Sequence, residues 1–178
     1  MALIVEVGSG VQGADAYASR AAVLAYWVNR PHDAKAATVA AANVNNLDGA
    51  IREATAYIDA VFGPYYRGVR RGYVQATLWP RTGALDDADY PLPDLPPELV
   101  AAVCELAARA VTAPLASDID MGARVKSQTK KVGPLEKSTE YFDGGAAPQT
   151  AYGAVDNILA PLLNGSQPRA PNAHWSWA

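Results

Sequence analysis

The sequence predicts a mainly α-helical protein: a small helical bundle with a projecting β-hairpin and an extended C-terminal tail. Three observations carry that prediction. Apolar residues recur at i, i+3 and i+4 spacing through Leu47, Ala50, Ile51, Ala54, Ile58, Val61 and Phe62, and again through Leu99, Val100, Val103, Leu106, Ala107, Ala110 and Val111. Residues 125–142 fold about Gly133-Pro134 so that Thr129 meets Ser138, Lys131 meets Glu136 and Val132 meets Leu135. Ser166 to Ala178 holds Pro168 and Pro171, almost no charge and no apolar period.

Composition sets the bounds. The 178 residues are 50% hydrophobic and 19% charged, with a net charge of −3. That is globular composition, with length enough for one domain and a real core. The acidic balance argues against a surface that grips nucleic acid throughout, and leaves room for local basic patches. Cys104 is the only cysteine, so a disulfide-stapled scaffold is excluded. No apolar run reaches the roughly 18–20 residues that span a membrane. The opening Met1-Ala2-Leu3-Ile4-Val5-Glu6 lacks the basic stretch of a signal peptide and predicts synthesis in a cytoplasm.

Along the chain, Leu3–Val7 reads as a short strand broken by Gly8-Ser9-Gly10. Ser19 is the expected cap of a helix ending near Asn29, because Pro31 disfavours helix at Arg30. Val23, Leu24, Trp27 and Val28 share a face of it. Ala-rich residues 33–45, with little large apolar content, suit a thin helix or a loop, the short helix being favoured. Asn45, three before Asp48, predicts the start of the next helix, which Gly63-Pro64 stops. Residues 65–96, rich in proline and without a period, form a long loop. Pro97 opens the following helix and Pro114 marks its end. Thr150–Leu163 reads as a last helix with Tyr152, Val155, Leu159 and Leu162 on one side. In the hairpin, Lys130 opposite Lys137 is an unfavourable pair in an otherwise matched register.

Chemical motifs are few. Gly8-Ser9-Gly10-Val11-Gln12-Gly13 is a literal G-x-G-x-x-G after a strand-like run. A dinucleotide site would need a second hydrophobic strand ending in an acid, and Arg30-Pro31-His32-Asp33 stands there instead, so the motif reads as a glycine-rich turn. His32 and His174 are isolated, and Cys104 lies on an apolar helix face, so no metal site is expected. Asp86-Asp87-Ala88-Asp89 and Asp118-Ile119-Asp120 read as solvated turns. No nucleophile motif is present, and no catalytic residue or cofactor is expected. The run Tyr65-Tyr66-Arg67-Gly68-Val69-Arg70-Arg71-Gly72-Tyr73 interleaves basic and aromatic groups. It suits a solvated loop, a protein interface or a nucleic-acid contact, and the pattern leaves all three open. Trp175 and Trp177 cannot bury themselves locally, so the tail reads as a docking segment.

Leu78-Trp79-Pro80-Arg81-Thr82-Gly83, the prolines at 91, 93, 96 and 97, the helix around Cys104-Glu105-Leu106-Ala107, and Lys131-Val132-Gly133-Pro134-Leu135 occur together and in order. With the opening Ala2–Gly10 and Asp15-Ala16-Tyr17, they resemble the head–tail connector proteins of tailed phages, also called adaptor or head-completion proteins. Genomes often label these proteins DnaT-like single-stranded-DNA-binding. The resemblance runs from about Ala2 to Leu163. The Ala-rich segment 33–45 and the Trp-ended tail depart from the pattern.

The resemblance implies a structural virion protein in the phage neck, with no enzymatic activity. Its partners would be copies of itself in a ring, dodecameric in relatives, the portal protein, and a stopper or tail-completion protein. Genomic double-stranded DNA would pass through the lumen. It further implies a connector domain over residues 1–163 and a portal-docking tail over 164–178 with His174, Trp175 and Trp177. Arg67, Arg70, Arg71, Lys130, Lys131 and Lys137 are the candidates for facing a neighbouring subunit or the lumen. Trp79-Pro80-Arg81 is expected to be a structural turn, with Trp79 plugging the bundle and Arg81 bracing nearby carbonyls, and Gly133-Pro134 the hairpin turn. Two alternatives come from other classes. Salt-dependent oligonucleotide binding would favour a single-stranded-DNA-binding replication accessory protein. A thermal shift with dinucleotide would favour a nucleotide-binding enzyme.

Overall fold

The computed structural model describes residues 2–116, 127–132, 135–140 and 152–164. The chain divides into two compact units, Met1–Leu115 with Ala151–Ala178, and Ala116–Thr150. Among the described residues, the first unit holds five α-helices. Helix α1 is Arg20–Val28, with the Ser19 hydroxyl accepting from the Ala22 N–H at 3.1 Å. Helix α2 is Ala34–Ala41, capped by Asp33. Helix α3, Val44–Phe62, starts two residues earlier than Asn45 predicted. Asn43 is the cap, because its Oδ1 is the acceptor that meets the Asn46 amide. A 3-10 turn over Gly63–Tyr65 ends it. Helix α4 is Pro97–Ala110, with Pro97 at its first position, Glu98 in the first turn and Arg109 in the last, both signs favoured by the helix dipole. Helix α5, Gly153–Leu159, continues as a 3-10 turn over Ala160–Leu162.

The predicted apolar stripes make the core. Helix α4 is central: α3 packs along it most extensively, and α5, α1 and α2 also lie against it. Leu47, Ile51 and Ile58 of α3 and Leu99 and Leu106 of α4 are fully buried, as are Val155, Leu159 and Leu162. Trp27 crosses to α4 and donates its indole N–H to the Cys104 carbonyl at 3.0 Å, which satisfies its one polar atom.

Two local expectations change. The apolar face of α1 is only half covered: Val23 and Trp27 are buried, but Leu24 is 36% and Val28 74% exposed. Helix α2, being mostly alanine, is too slight to cover them. Leu3–Val7 makes no strand, only a bridge between Val5 and Ala16 in which the Glu6 N–H donates to the Ala16 carbonyl at 2.8 Å. A lone bridge with no further partner segment cannot extend into a ladder.

The long loop is folded onto the bundle. Within it, β1 (Val69–Arg70) and β2 (Arg81–Thr82) pair antiparallel, Val69 with Thr82 and Arg70 with Arg81. Gly68 permits this. Its φ is +68°, and a Cβ there would stand 2.6 Å from the Thr82 oxygen and the Ala84 nitrogen.

The second unit contains the hairpin. Strands β3 (Ser127–Val132) and β4 (Leu135–Glu140) pair antiparallel in the predicted register, Thr129 with Ser138, Lys130 with Lys137, Lys131 with Glu136 and Val132 with Leu135. Gly133, Pro134, Val125, Phe142 and residues 165–178 of the tail, with His174, Trp175 and Trp177, lie outside the described residues.

Trp79 is fully buried although it belongs to the loop. Trp79→Ala should therefore destabilise the protein by about 3–5 kcal/mol in denaturant unfolding. Val28→Ala, at an exposed helical site, should change it by less than about 0.5 kcal/mol. Equal effects at both positions would contradict the assignment of Trp79 to the core.

Candidate functional site

The glycine motif is occupied by the chain itself. Glu6 is fully buried, and its carboxylate accepts from the amides of Gly8 at 2.8 Å, Gly10 at 2.9 Å and Val11 at 2.7 Å. Gly8 and Gly10 take φ of +92° and +78°, which turns successive N–H groups inward. Such a nest of amides binds anions, and here the anion is an internal side chain. That is the physical reason the motif serves as a turn.

A second buried carboxylate organises the Trp-Pro-Arg loop. The Tyr17 hydroxyl donates to Asp59, with Oδ1 at 2.7 Å and Oδ2 at 2.9 Å. The same hydroxyl oxygen accepts from the amides of Leu78 at 2.9 Å and Trp79 at 3.1 Å, and Asp59 Oδ2 accepts from the Leu78 amide at 3.0 Å. Desolvation by burial pushes Asp59 up to about 6, against the opposing pull of the Tyr17 and Leu78 donors and of Arg70 and Arg81. Burial and the neighbouring Asp59 charge push the Tyr17 hydroxyl far above its usual range. Asp59 ends a polar seam along α3. Arg20 pairs bidentately with Asp48 at 2.8–2.9 Å, Arg52 with Asp15 at 2.5 Å, and the Tyr17 amide donates to the Thr55 hydroxyl at 3.3 Å. Positions 48, 52, 55 and 59 are spaced as one helical face, a signal carried in the sequence by polar rather than apolar residues.

Trp79 follows these amides into the core, where its ring meets Tyr66 edge to face at 5.8 Å. Arg81 then braces the loop. Its guanidinium donates to the carbonyls of Arg67 and Gly68, each at 2.6 Å, and more distantly to those of Tyr66 and Leu78 at 3.4 Å. Pro80 is buried beside it, joined to Trp79 by a cis peptide bond. Gln75, also buried, donates to the Thr77 and Pro80 carbonyls at 3.0 and 3.1 Å and accepts from the Gly72 amide at 2.9 Å.

The arginines of the basic–aromatic run are drawn into the same framework. Arg67 donates to the Leu163 carbonyl at 3.0 Å and the Leu85 carbonyl at 2.9 Å, and pairs with Asp87. Arg71 donates to the Gly8 carbonyl at 3.0 Å and pairs with Asp94. Arg70 bonds the Gln75 carbonyl. Tyr66 is buried, whereas Tyr73 is 98% exposed. The run is thus a set of struts with one aromatic at its tip. Lys130, Lys131 and Lys137 belong to the other unit, with Lys130 and Lys137 directly opposite across the hairpin. Among the described residues, no three metal-ligating side chains converge, and no helix is long and apolar enough to cross a membrane. Burial raises the Cys104 thiol to about 12, which makes it a poor nucleophile.

The sequence pattern of the family described as "Putative DnaT-like ssDNA binding protein" matches residues 1–173. The chain belongs to that family. Neither a curated protein nor a solved structure matches it. The matched stretch covers nearly the whole of this DnaT-like chain and contains the Glu6 nest, the Trp-Pro-Arg loop and the hairpin.

Two outcomes follow for this DnaT-like protein. Glu6→Gln leaves an amide donor where the nest offers only donors, so at least one buried N–H loses its acceptor; stability should fall by about 1–3 kcal/mol in denaturant unfolding. An unchanged midpoint would show that the nest is filled otherwise. For Asp59, the folded state holds a proton more tightly than the unfolded chain, in which an aspartate titrates near 3.9. Its stabilising contribution is full below about pH 4 and is lost as pH rises through about 6, a change of about 3 kcal/mol at most. The difference in unfolding free energy between wild type and Asp59→Asn should trace that window between pH 4 and 7. A flat difference would place the Asp59 titration at its ordinary value.

Proposed function

We propose that this protein is a structural, non-enzymatic subunit of the head–tail connector of a tailed phage or phage-like particle. Copies of it would close into a ring between the portal and a stopper or tail-completion protein, with genomic DNA passing through the lumen. The in-order resemblance over residues 2–163 supports this reading. The observation that carries it is the fate of the cations. All nine Lys and Arg side chains in the described part of the helical unit have an internal partner. A surface whose basic groups are held by its own carbonyls and carboxylates offers DNA little, and a conduit must let the genome slide. In a closed ring, head-to-tail contacts require two different surfaces on each copy, and the hairpin is a natural arm, since a two-stranded ribbon is marginal without a partner.

The family's description favours a second reading, a single-stranded-DNA-binding protein. On that reading the hairpin lysines Lys130, Lys131 and Lys137 would be the phosphate contacts, because the cations of the loop are already engaged.

The deciding experiment is mass spectrometry of purified particles followed by symmetry-averaged imaging of the neck. The proposal predicts the chain in particles at ring stoichiometry, localised below the portal. Its absence from particles, together with its presence on replicating DNA in infected cells, would overturn the connector reading in favour of the second.

A further inference from the structure

The least expected surface of the helical unit is an open groove of about 370 Å³ between α1 and α2. Leu24 and Val28 form one wall, Pro31 closes an end, and Ala36, Ala37 and Ala40 form the other wall, with Trp27 and Val39 beneath. None of these residues is charged. Val28, at 74% exposure, is a large apolar side chain held in water beside the partly exposed Leu24, on the half of the α1 apolar face that nothing covers. The alanines explain the shape. At 36, 37 and 40 they fall on one side of α2, and each stops at Cβ, so the helix stands against α1 without filling the space beside it. The groove follows from the sequence of the Ala-rich segment, and the connector reading gives that segment no task.

A second feature is the segment that follows the last helix. Fourteen residues, 165–178, follow Asn164, the last described residue, and they end His174-Trp175-Ser176-Trp177-Ala178. Two indoles at i and i+2 carry a large apolar area each, and Arg169 is the segment's only charged side chain. Fourteen residues reach about 46–50 Å when extended. The groove and the end of the segment match in chemistry: an alanine-walled slot without charged side chains, and the Trp175-Ser176-Trp177 stretch, which has none either. The volume lies within the range of ligand-binding clefts, about 300–1,000 Å³.

We propose that the α1–α2 groove receives the C-terminal Trp175-Ser176-Trp177 segment of a neighbouring copy of this chain. The proposal rests on the ring reading for its choice of a neighbouring copy, and adds a tail-in-groove contact passed from subunit to subunit. The resemblance directs the same segment to a portal; the groove gives it a partner on the chain's own surface. Repeated around a ring, a contact of modest strength is multiplied by effective concentration.

The test uses the purified full-length chain at up to about 1 mM, a concentration at which a weak contact is populated. One variant carries Val28→Cys and a second carries Ser176→Cys; Cys104 is 1% exposed and stays silent to a maleimide. Mixed and treated with a short bismaleimide, the two should give a heterodimer joining residues 28 and 176, identified by peptide mass spectrometry. Trp175→Ala with Trp177→Ala on the Ser176→Cys chain should lower its yield at least about tenfold, as loss of central aromatic anchors does. Ala37→Glu on the Val28→Cys chain, which places a charge in the slot, should lower it similarly. No 28–176 product in the mixture would overturn the proposal. So would a product found only within single chains of a double-cysteine variant, which would put the tail in its own groove. Either result leaves the ring reading intact if the chain is found in particle necks; absence from particles would remove the ring reading even where the cross-link forms.

Discussion

The buried knot of Asp59, the Tyr17 hydroxyl and the amides of Leu78 and Trp79 links three parts of the chain that local rules would leave independent. It fastens the segment before α1 to the end of α3 and both to the middle of the long loop. From it the chain turns so that Trp79 enters the core and Arg81 faces four carbonyls. A loop of this length carries many polar backbone groups, and it can lie on a bundle only if those groups are satisfied. Gln75, Thr77 and Arg81 do that from within the loop, and Tyr17 and Asp59 do it from outside. The carboxylate sits where burial raises its proton affinity, and it holds two donors there, the Tyr17 hydroxyl and the Leu78 amide.

The same logic accounts for both sequence features that look like ligand sites. The glycine-rich turn offers inward amides, and Glu6 supplies the anion. The basic–aromatic run offers guanidinium groups, and carbonyls at Gly8, Gln75, Leu85 and Leu163 accept from them. In each case the chain closes on itself the valence that the motif displays. Fold-level reading of a motif therefore misleads unless the partner of each donor is known.

How much was legible in the sequence follows from the range of the interactions concerned. The hairpin register was readable because it depends on residues at most 13 apart, Ser127 to Glu140, and on complementary pairs such as Lys131 and Glu136. The stripes of α3 and α4 were readable because the two helices pack along each other, although α4 is buried all round from Ala102 to Ala108 by the other helices. Leu24 and Val28 show the limit: an apolar face records what a helix can bury, and the width actually covered depends on a neighbour, here an alanine helix too thin to reach. Glu6 and Asp59 were not legible as buried groups, since each depends on amides brought in by a turn or by a loop 19 residues away. The polar seam at 48, 52, 55 and 59 carried a hint of the second.

The central claim is that the arginines of residues 65–81 are braces of the fold, and Arg81 is the most deeply committed of them. The direct measurement is paired: unfolding free energy and single-stranded oligonucleotide affinity, at two salt concentrations, for wild type and Arg81→Ala. The account predicts a loss of about 2–3 kcal/mol in stability, as for hydrogen bonds to a charged group with buried carbonyls left unpaired, and weak oligonucleotide binding that the substitution leaves unchanged. Tight, steeply salt-dependent binding by the wild type that Arg81→Ala abolishes at unaltered stability would contradict it.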